Sequence, residues 1–493
     1  MADDGSFTVW DDDLTSNDPL GFTDARSYRD RLQAAAEGDT AEAVVTGSAH
    51  IVGREVALLV GAFEFLAGTQ GVVVGERVAR AFERAANRGL PVLGMPASGG
   101  TRMQEGSLAF VQMLKIAAVV GAYRRGGGRY VAWLRHPTTG GALASWGSLA
   151  QITWAQPGAL IGLTGPRVIE QLYGEALPDH VQRAEHLCAH GVVDDVVAGD
   201  QLATRLPGLL DSLGPPPTHA MAPFDAGDVG RTRRPLPTLD LSGQDSWTAV
   251  ERSRAPDRPG LPALLDAAAR DIVVVQGDGA GGRDDGCVTV VCTFRGIQVV
   301  LVGHDRPAGQ RGASLDAVGY RSARNAMRLA DELGLPLVTV VDTEGAAATV
   351  GAEEGGIAAE IAGCMATMSG LTVPTVAVLL GEGSGGGAIA WLPADRVIAP
   401  AHAWLAPIAP EGASSILFRT TDRAPEIANA QAIDVVSLRA IGLVDEIIDD
   451  HRGWVSELAD TVADQLRDLA AQPVDERLTV RYRRLRSLAA AAG

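Results

Sequence analysis

"PTVAVLLGEGSGGGAIAWL", residues 374–392, joins an apolar run to a cluster of glycines. Seven mostly apolar residues run into a glycine-rich turn and then into small helix-forming residues, a strand that opens a helix. Gly381, Gly383 and Gly386 satisfy G-x-G-x-x-G, the spacing that cradles a dinucleotide pyrophosphate. Such a turn belongs near the start of its domain, with an acidic residue about 20 positions on. Here Asp395 comes too early, and the stretch lies deep in the second half of the 493 residues.

The stretch also has an upstream partner that breaks the dinucleotide pattern. "YVAWLRHPTTGGALASW" (130–146) aligns with it when Gly140 is set against Gly386, an offset of 246. Gly89 and Gly334, 245 apart, open the shared GLP of "RGLPVLGMPASGG" and "LGLPLVTVVDTEG". Gly191 of "HGVVDDVV" and Gly442 of "IGLVDEII" stand 251 apart. Segments that recur in order at near-constant spacing imply two related domains in tandem. In each copy apolar runs alternate with amphipathic segments such as "GERVARAFERAANRG" and "GYRSARNAMRLADELG". That alternation predicts parallel sheet with crossover helices. The expected boundaries are a first domain over 1–212, a Pro-, Gly- and Asp-rich linker over 213–244 and a second domain over 245–493. The basic tail "DERLTVRYRRLRSL" (475–488) reads as a solvated amphipathic helix packed on its own domain.

Both copies keep a strand, then Gly-Gly, then a helix of small residues. This geometry presents backbone N–H groups at a helix start, where they can hold an oxyanion. Glycine lets a carbonyl approach the backbone with no side chain in the way. Two oxyanion holes, one per domain, is the resulting expectation. Glu105, Glu353 and Glu354 are expected to cap helices or cross an interface, since neither copy supplies a nucleophile–histidine pair.

A net charge of −18 argues against nucleic acid or an anionic membrane as a partner. The acidic N-terminus is no signal peptide. No apolar run nears the ~18 residues that span a bilayer, so a cytoplasmic protein is expected. Of 42 basic residues only Lys115 is a lysine, which leaves arginine to make nearly every anion contact. The four cysteines lack C-x-x-C spacing, so reduced thiols and no metal are expected.

These motifs resemble a family. "ASGGTRMQEG", "HPTTGGALASWG", "PGALIGLTGPRVIEQ" and "HGVVDDVV" resemble the β subunit of the bacterial acetyl-CoA carboxylase carboxyltransferase. "SWTAVERSRAPDRPG", "VDTEGAAATVGAEEGG", "GEGSGGGAIA", "APEGASSILFR" and "IGLVDEII" resemble its α subunit. The resemblance covers roughly residues 45–200 and 246–450, in the order of a fused β–α chain of the actinobacterial type. It implies an α/β fold of two tandem crotonase-like ββα spiral domains. The implied reaction moves a carboxyl group from carboxybiotin on a carrier protein to the α-carbon of acetyl-CoA or a related acyl-CoA, on the way to fatty acids.

By resemblance Gly140 and Gly141 hold the acyl thioester oxygen and Gly386 and Gly387 the biotin carbonyl. Gly99, Gly100, Thr101, Arg102, Gly165, Pro166, Arg167, Gly383, Ser384 and Gly385 are implied substrate contacts. Tyr320 and Arg321 match the α pattern and read equally well as CoA or biotin contacts or as an ordinary helix start. In the family the biotin nitrogen takes the α-proton, so no side-chain base is needed. The family site lies between the N-domain of one protomer and the C-domain of another, which implies a homodimer or higher homo-oligomer.

Several departures stand out. The four-cysteine zinc ribbon of the family's β subunit is missing, and Asp342-Thr-Glu-Gly345 and Glu353-Glu-Gly-Gly-Ile357 replace D-T-P-G and E-E-R-G-Q. Lys115 lies in no biotinylation motif, and no phosphate loop is present. Biotin carboxylase and the biotin carboxyl carrier are therefore expected as separate partners. Other readings are a malonyl-thioester decarboxylase of the same fold, a non-catalytic structural subunit and, least well supported, a dinucleotide-dependent oxidoreductase.

Overall fold

The computed structural model describes residues 2–38, 40–214, 245–306 and 314–489. Most of the expected linker, 215–244, lies outside the described residues, and Leu213 closes the Leu202–Leu213 helix.

Among the described residues each half builds one large sheet, with the same order of pairing, and Thr138–Thr139 pairs with Ile161–Gly162 in a separate two-stranded sheet. In the first, Thr8–Trp10, Val44–Ile51 and Arg54–Gly61 pair antiparallel, and Val92–Met95, Tyr130–Leu134, Ile152–Ala155 and Asp195–Val196 follow in parallel. In the second, Ala269–Val275, Cys287–Phe294 and Ile297–His304 pair antiparallel. Leu337–Thr343, Thr375–Ser384, Arg396–Pro400 and Glu446–Ile448 then add in parallel. Both halves thus take the same α/β architecture.

The quoted stretch is less of a turn than its glycines suggest. Strand Thr375–Ser384 is buried along its whole length and continues through Gly381 and Gly383. Paired in parallel on both sides, such a strand is apolar throughout rather than alternating. The two glycines make room for neighbours. A Cβ on Gly381 would meet Arg258 Cζ at 2.7 Å, and one on Gly383 would meet the Trp404 carbonyl oxygen at 2.5 Å. Helix Gly385–Ile389 begins only afterwards.

The repeat is a constant shift of 245 through the middle of each half. Helices Val72–Arg88 and Ala317–Leu333 both end at a left-handed glycine, Gly89 and Gly334. Bridge Gln70–Thr101 maps onto Leu315–Ala346. The N–H of Gly100 donates to Ser98 Oγ at 3.1 Å, and that of Gly345 to Thr343 Oγ1 at 3.1 Å. Gly140 (φ +60°) and Gly385 (φ +65°) each open the next short helix. Structural equivalence therefore pairs Gly140 with Gly385 and Gly141 with Gly386, one residue off the sequence alignment. The run Gly385-Gly386-Gly387 offers two glycine pairs to an alignment, and the left-handed φ selects the first.

Each sheet carries its own outer core, but one large inner core joins the halves. It runs from Phe82, Leu114 and Tyr123 through Ile361, Met365 and Trp391 to Leu485. The C-terminal helix Val474–Arg486 helps close it and differs from the expected solvated helix. Arg477, Arg481 and Arg486 are buried. Arg481 pairs with Asp395 at 2.6 Å in its own half, while Arg486 reaches Glu76 at 2.6 Å and Glu83 at 2.8 Å in the first. Arginine's fork serves both carboxylates at once, which lets a basic helix become a seam.

Lys115 sits in the same seam, 3.4 Å from Glu76. Burial pushes its ammonium down to about 8, against the pull of Glu76. The folded chain thus gives up this proton near pH 8, while the unfolded chain keeps it to its ordinary 10.5. In that window the unfolded state binds more protons, so this group makes stability rise with pH. Lys115→Met is expected to flatten the rise, read as melting temperature across the window. An unchanged slope would show that Lys115 does not carry it.

Candidate active site

The equivalent glycine corners face one cavity of about 400 Å³ between the halves. The first half contributes Gly99, Gly100, Thr101, Thr139, Gly140, Gly141, Thr164 and Gly165. The second contributes Glu344, Gly345, Ser384, Gly385 and Gly386. This volume is within the usual range for a small-molecule site. Both corners line this one cavity within a single polypeptide, whose halves share a common inner core.

At the first corner, close approach explains the glycines. A Cβ on Gly140 would lie 2.8 Å from Gly100 Cα, and one on Gly141 would meet Thr101 Oγ1 at 2.6 Å and Met113 Sδ at 3.3 Å. At the second corner Gly386 has ordinary room, with Ile361 Cδ1 at 3.4 Å and Leu163 Cδ1 at 3.6 Å. The first amides of a helix have no intrahelical acceptor. Phe110, Met113, Ala144 and Val168 form an apolar wall near the first corner.

A charged cluster also lines the cavity. Arg254 donates to Glu382 Oε1 at 2.8 Å and to Glu411 Oε1 at 2.6 Å. Burial works against the guanidinium's charge, but the two carboxylates hold it more firmly protonated than usual. Behind it, Arg258 grips Asp342 at 2.6 Å. These residues lie in the quoted motifs, yet sequence reasoning gave Arg254, Glu382 and Glu411 no role. Gly345 was missed too, although a 245-residue shift from Gly100 would have found it.

Other residues singled out in the sequence lie off the cavity. Arg102 is fully buried, bonded to Glu42 at 2.8 Å and to Glu105 at 3.2 Å. Gly383 is inside its strand. Gly387 lies beneath Tyr320, whose hydroxyl would be 2.3 Å from a Cβ there. Burial pushes the Tyr320 phenol well above its ordinary range, and among the described residues its hydroxyl has no hydrogen-bond partner. Arg321 is held by Asp278 and Glu360, each at 3.0 Å. Pro166 opens a helix as its first residue, and Arg167 beside it is exposed. The three glutamates are structural: Glu105 accepts from Val72 N at 2.6 Å, Glu353 from Leu163 N at 3.0 Å, and Glu354 bonds His186.

Comparison with known proteins finds relatives along nearly the whole chain. Residues 5–256 match the carboxyl transferase domain family, and residues 241–489 match the acetyl co-enzyme A carboxylase carboxyltransferase-like family. A probable biotin-dependent acyl-coenzyme A carboxylase beta3 subunit of Mycobacterium tuberculosis is 43% identical over 99% of this chain and 97% of its own length. The acetyl-coenzyme A carboxylase carboxyl transferase subunits beta/alpha of Salinispora arenicola are 37% identical over 91% of this chain and 80% of theirs. Among solved structures, transcarboxylase 12S aligns over 96% of this chain and 88% of its own at 24% identity and a TM-score of 0.39. With β-like and α-like halves fused in one polypeptide, the chain belongs to the carboxyltransferase family of the biotin-dependent acyl-CoA carboxylases.

Proposed function

We propose that the first-half corner holds the thioester carbonyl of an acyl-CoA and the second-half corner the ureido carbonyl of biotin borne by a separate carrier. The observation that carries this is the pair of like glycine corners, Gly100 with Gly140–Gly141 and Gly345 with Gly385–Gly386, in one cavity. Proton loss from the α-carbon of a thioester moves negative charge onto its carbonyl oxygen. Preorganised amides aimed at that oxygen stabilise the charge where it develops. The second corner fits a flat cyclic carbonyl, since Gly386 presents no side chain there. Carboxybiotin would supply the carboxyl group; the chain's part is to bind, orient and exclude water. The described residues lining the cavity include no histidine, lysine or cysteine, which suits a proton acceptor that arrives with the substrate.

Among the described residues that line the cavity Arg254 is the cation, and its two carboxylates fix its position. Biotin carboxylase and the biotin carrier would act as separate partners, and the chain would work in the cytoplasm as a dimer or larger homo-oligomer. Among the described residues no single helix is long and apolar enough to cross a membrane.

The apolar wall would choose the acyl chain. Met113 Sδ stands beside Gly141, so Met113→Ala should deepen the first-half pocket. The expected result is a roughly tenfold shift in relative kcat/KM toward an acyl-CoA longer than acetyl-CoA, the scale of a few methylenes in an apolar pocket. An unshifted ratio would place the acyl end elsewhere.

The test of the reaction is to incubate the purified chain with malonyl-CoA, with and without free biotin, and to follow acetyl-CoA. Biotin-dependent loss of malonyl-CoA is the expected result. Loss that ignores biotin would make the chain a decarboxylase. No turnover of malonyl-CoA or of longer carboxyacyl-CoAs, with free biotin or with a biotinylated carrier, would leave a structural subunit.

A further inference from the structure

A second cluster of chemically capable side chains lies outside the cavity, where the halves meet. His186 is in helix Ala184–Ala189 and His190 follows as its C-cap, four positions on and thus on the same face. Across the seam stands Glu354, the last residue of helix Val350–Glu354. His186 Nε2 is 2.8 Å from Glu354 Oε1, and His190 Nε2 is 3.6 Å from it. All three ligand atoms fall within 4.8 Å of one another. Ligands about 2.0–2.1 Å from a tetrahedral zinc stand about 3.4 Å apart. The observed spacings bracket that value, so small side-chain rotations would close the set on one ion.

We propose that His186, His190 and Glu354 bind one divalent transition-metal ion of the zinc type, which ties the two halves together. Two neutral imidazoles and a carboxylate suit zinc and its neighbours rather than calcium or magnesium, which prefer oxygen alone. The side chains are 20%, 37% and 28% exposed, which gives the ion an entry and a water-filled fourth position. The site departs from the expectation of a metal-free chain. Its role is to brace rather than to react, because none of the three residues lines the cavity. The brace is close to it, however: the adjacent Glu353 accepts from the N–H of Leu163, and Leu163 does line the cavity. An ion here would fix helix Val350–Glu354 against the loop that carries Thr164 and Gly165.

The test uses the full chain, free of any affinity tag and stripped with chelator, titrated with Co2+ and followed by its visible absorption. Saturable uptake of one ion per chain, displaced by Zn2+, is expected. The double variant H186A/H190A should lose it, and Zn2+ should raise the melting temperature of the wild type but not of this variant. Glu354→Gln, which keeps the side-chain volume, should weaken uptake and carries the same test if the double variant does not fold. Absence of saturable uptake by the wild type, or equal uptake by the variants, would overturn the site and leave the three residues an ordinary ion-paired cluster.

Discussion

Gly140→Ala is expected to lower carboxyl transfer about a hundredfold, the scale of one lost oxyanion donor. The residue is left-handed (φ +60°), and a Cβ there would stand 2.8 Å from Gly100 Cα. The methyl would push the two glycine segments apart and turn the Gly141 amide off its target. A left-handed alanine costs only about 1–2 kcal/mol, so the protein should remain folded while kcat falls. Gly386→Ala is the cleaner companion. Its Cβ has ordinary room, at 3.4 Å from Ile361 Cδ1, so the melting temperature should hold. The methyl would instead stand where the second carbonyl must approach, and transfer should fall. Wild-type kcat in both variants, measured beside melting curves, would remove the glycine corners from the chemistry.

Arg102→Met should act in the opposite way, on stability rather than on substrate. The guanidinium has no solvent exposure and satisfies Glu42, Glu105, Ser16 and the Thr69 carbonyl. Burial alone would raise both carboxyls. Glu42, with Arg102 and hydrogen bonds to help it, is held below its ordinary 4.5, while burial wins at Glu105 and pushes it up. Removing one partner of a buried pair leaves an uncompensated charge and costs about 3–5 kcal/mol.

The sign of the pH dependence follows. With Arg102 gone, both carboxyls should titrate above 4.5 in the folded state. The folded variant would then bind more protons than the unfolded chain, so the deficit should grow as pH rises through that range and shrink in acid. Denaturant melts at two pH values test this. A stable variant with a raised KM for acyl-CoA would instead return Arg102 to the substrate site.

Why Arg102 reads as a ligand contact in the sequence is instructive. It stands beside Gly99 and Gly100, which do line the cavity, but its direction is set by Glu42 and Ser16, 60 and 86 residues away. The repeat, the strand–helix alternation and the presence of glycine corners were legible because they are local patterns written twice. Their register was not, since three consecutive glycines are chemically alike and only their backbone angles differ. Arg254 with Glu382 and Glu411 spans 128 and 157 residues, and His186 with Glu354 spans 168. The first two form only once the second half has folded, and the third only once the halves have docked. The buried arginines of the C-terminal helix were hidden for the same reason: Arg486 meets Glu76 and Glu83 at the other end of the chain, and Arg481 meets Asp395, 86 residues away.

The most direct test of the two-corner cavity is a crystal structure of the chain with a non-hydrolysable acyl-CoA analogue and biotin bound together. The expected result places the thioester carbonyl oxygen on the amides of Gly140–Gly141, beside Gly100, and the ureido oxygen on those of Gly385–Gly386, beside Gly345, in one cavity. Either carbonyl bound away from these corners, or both ligands drawn to the same one, would contradict it.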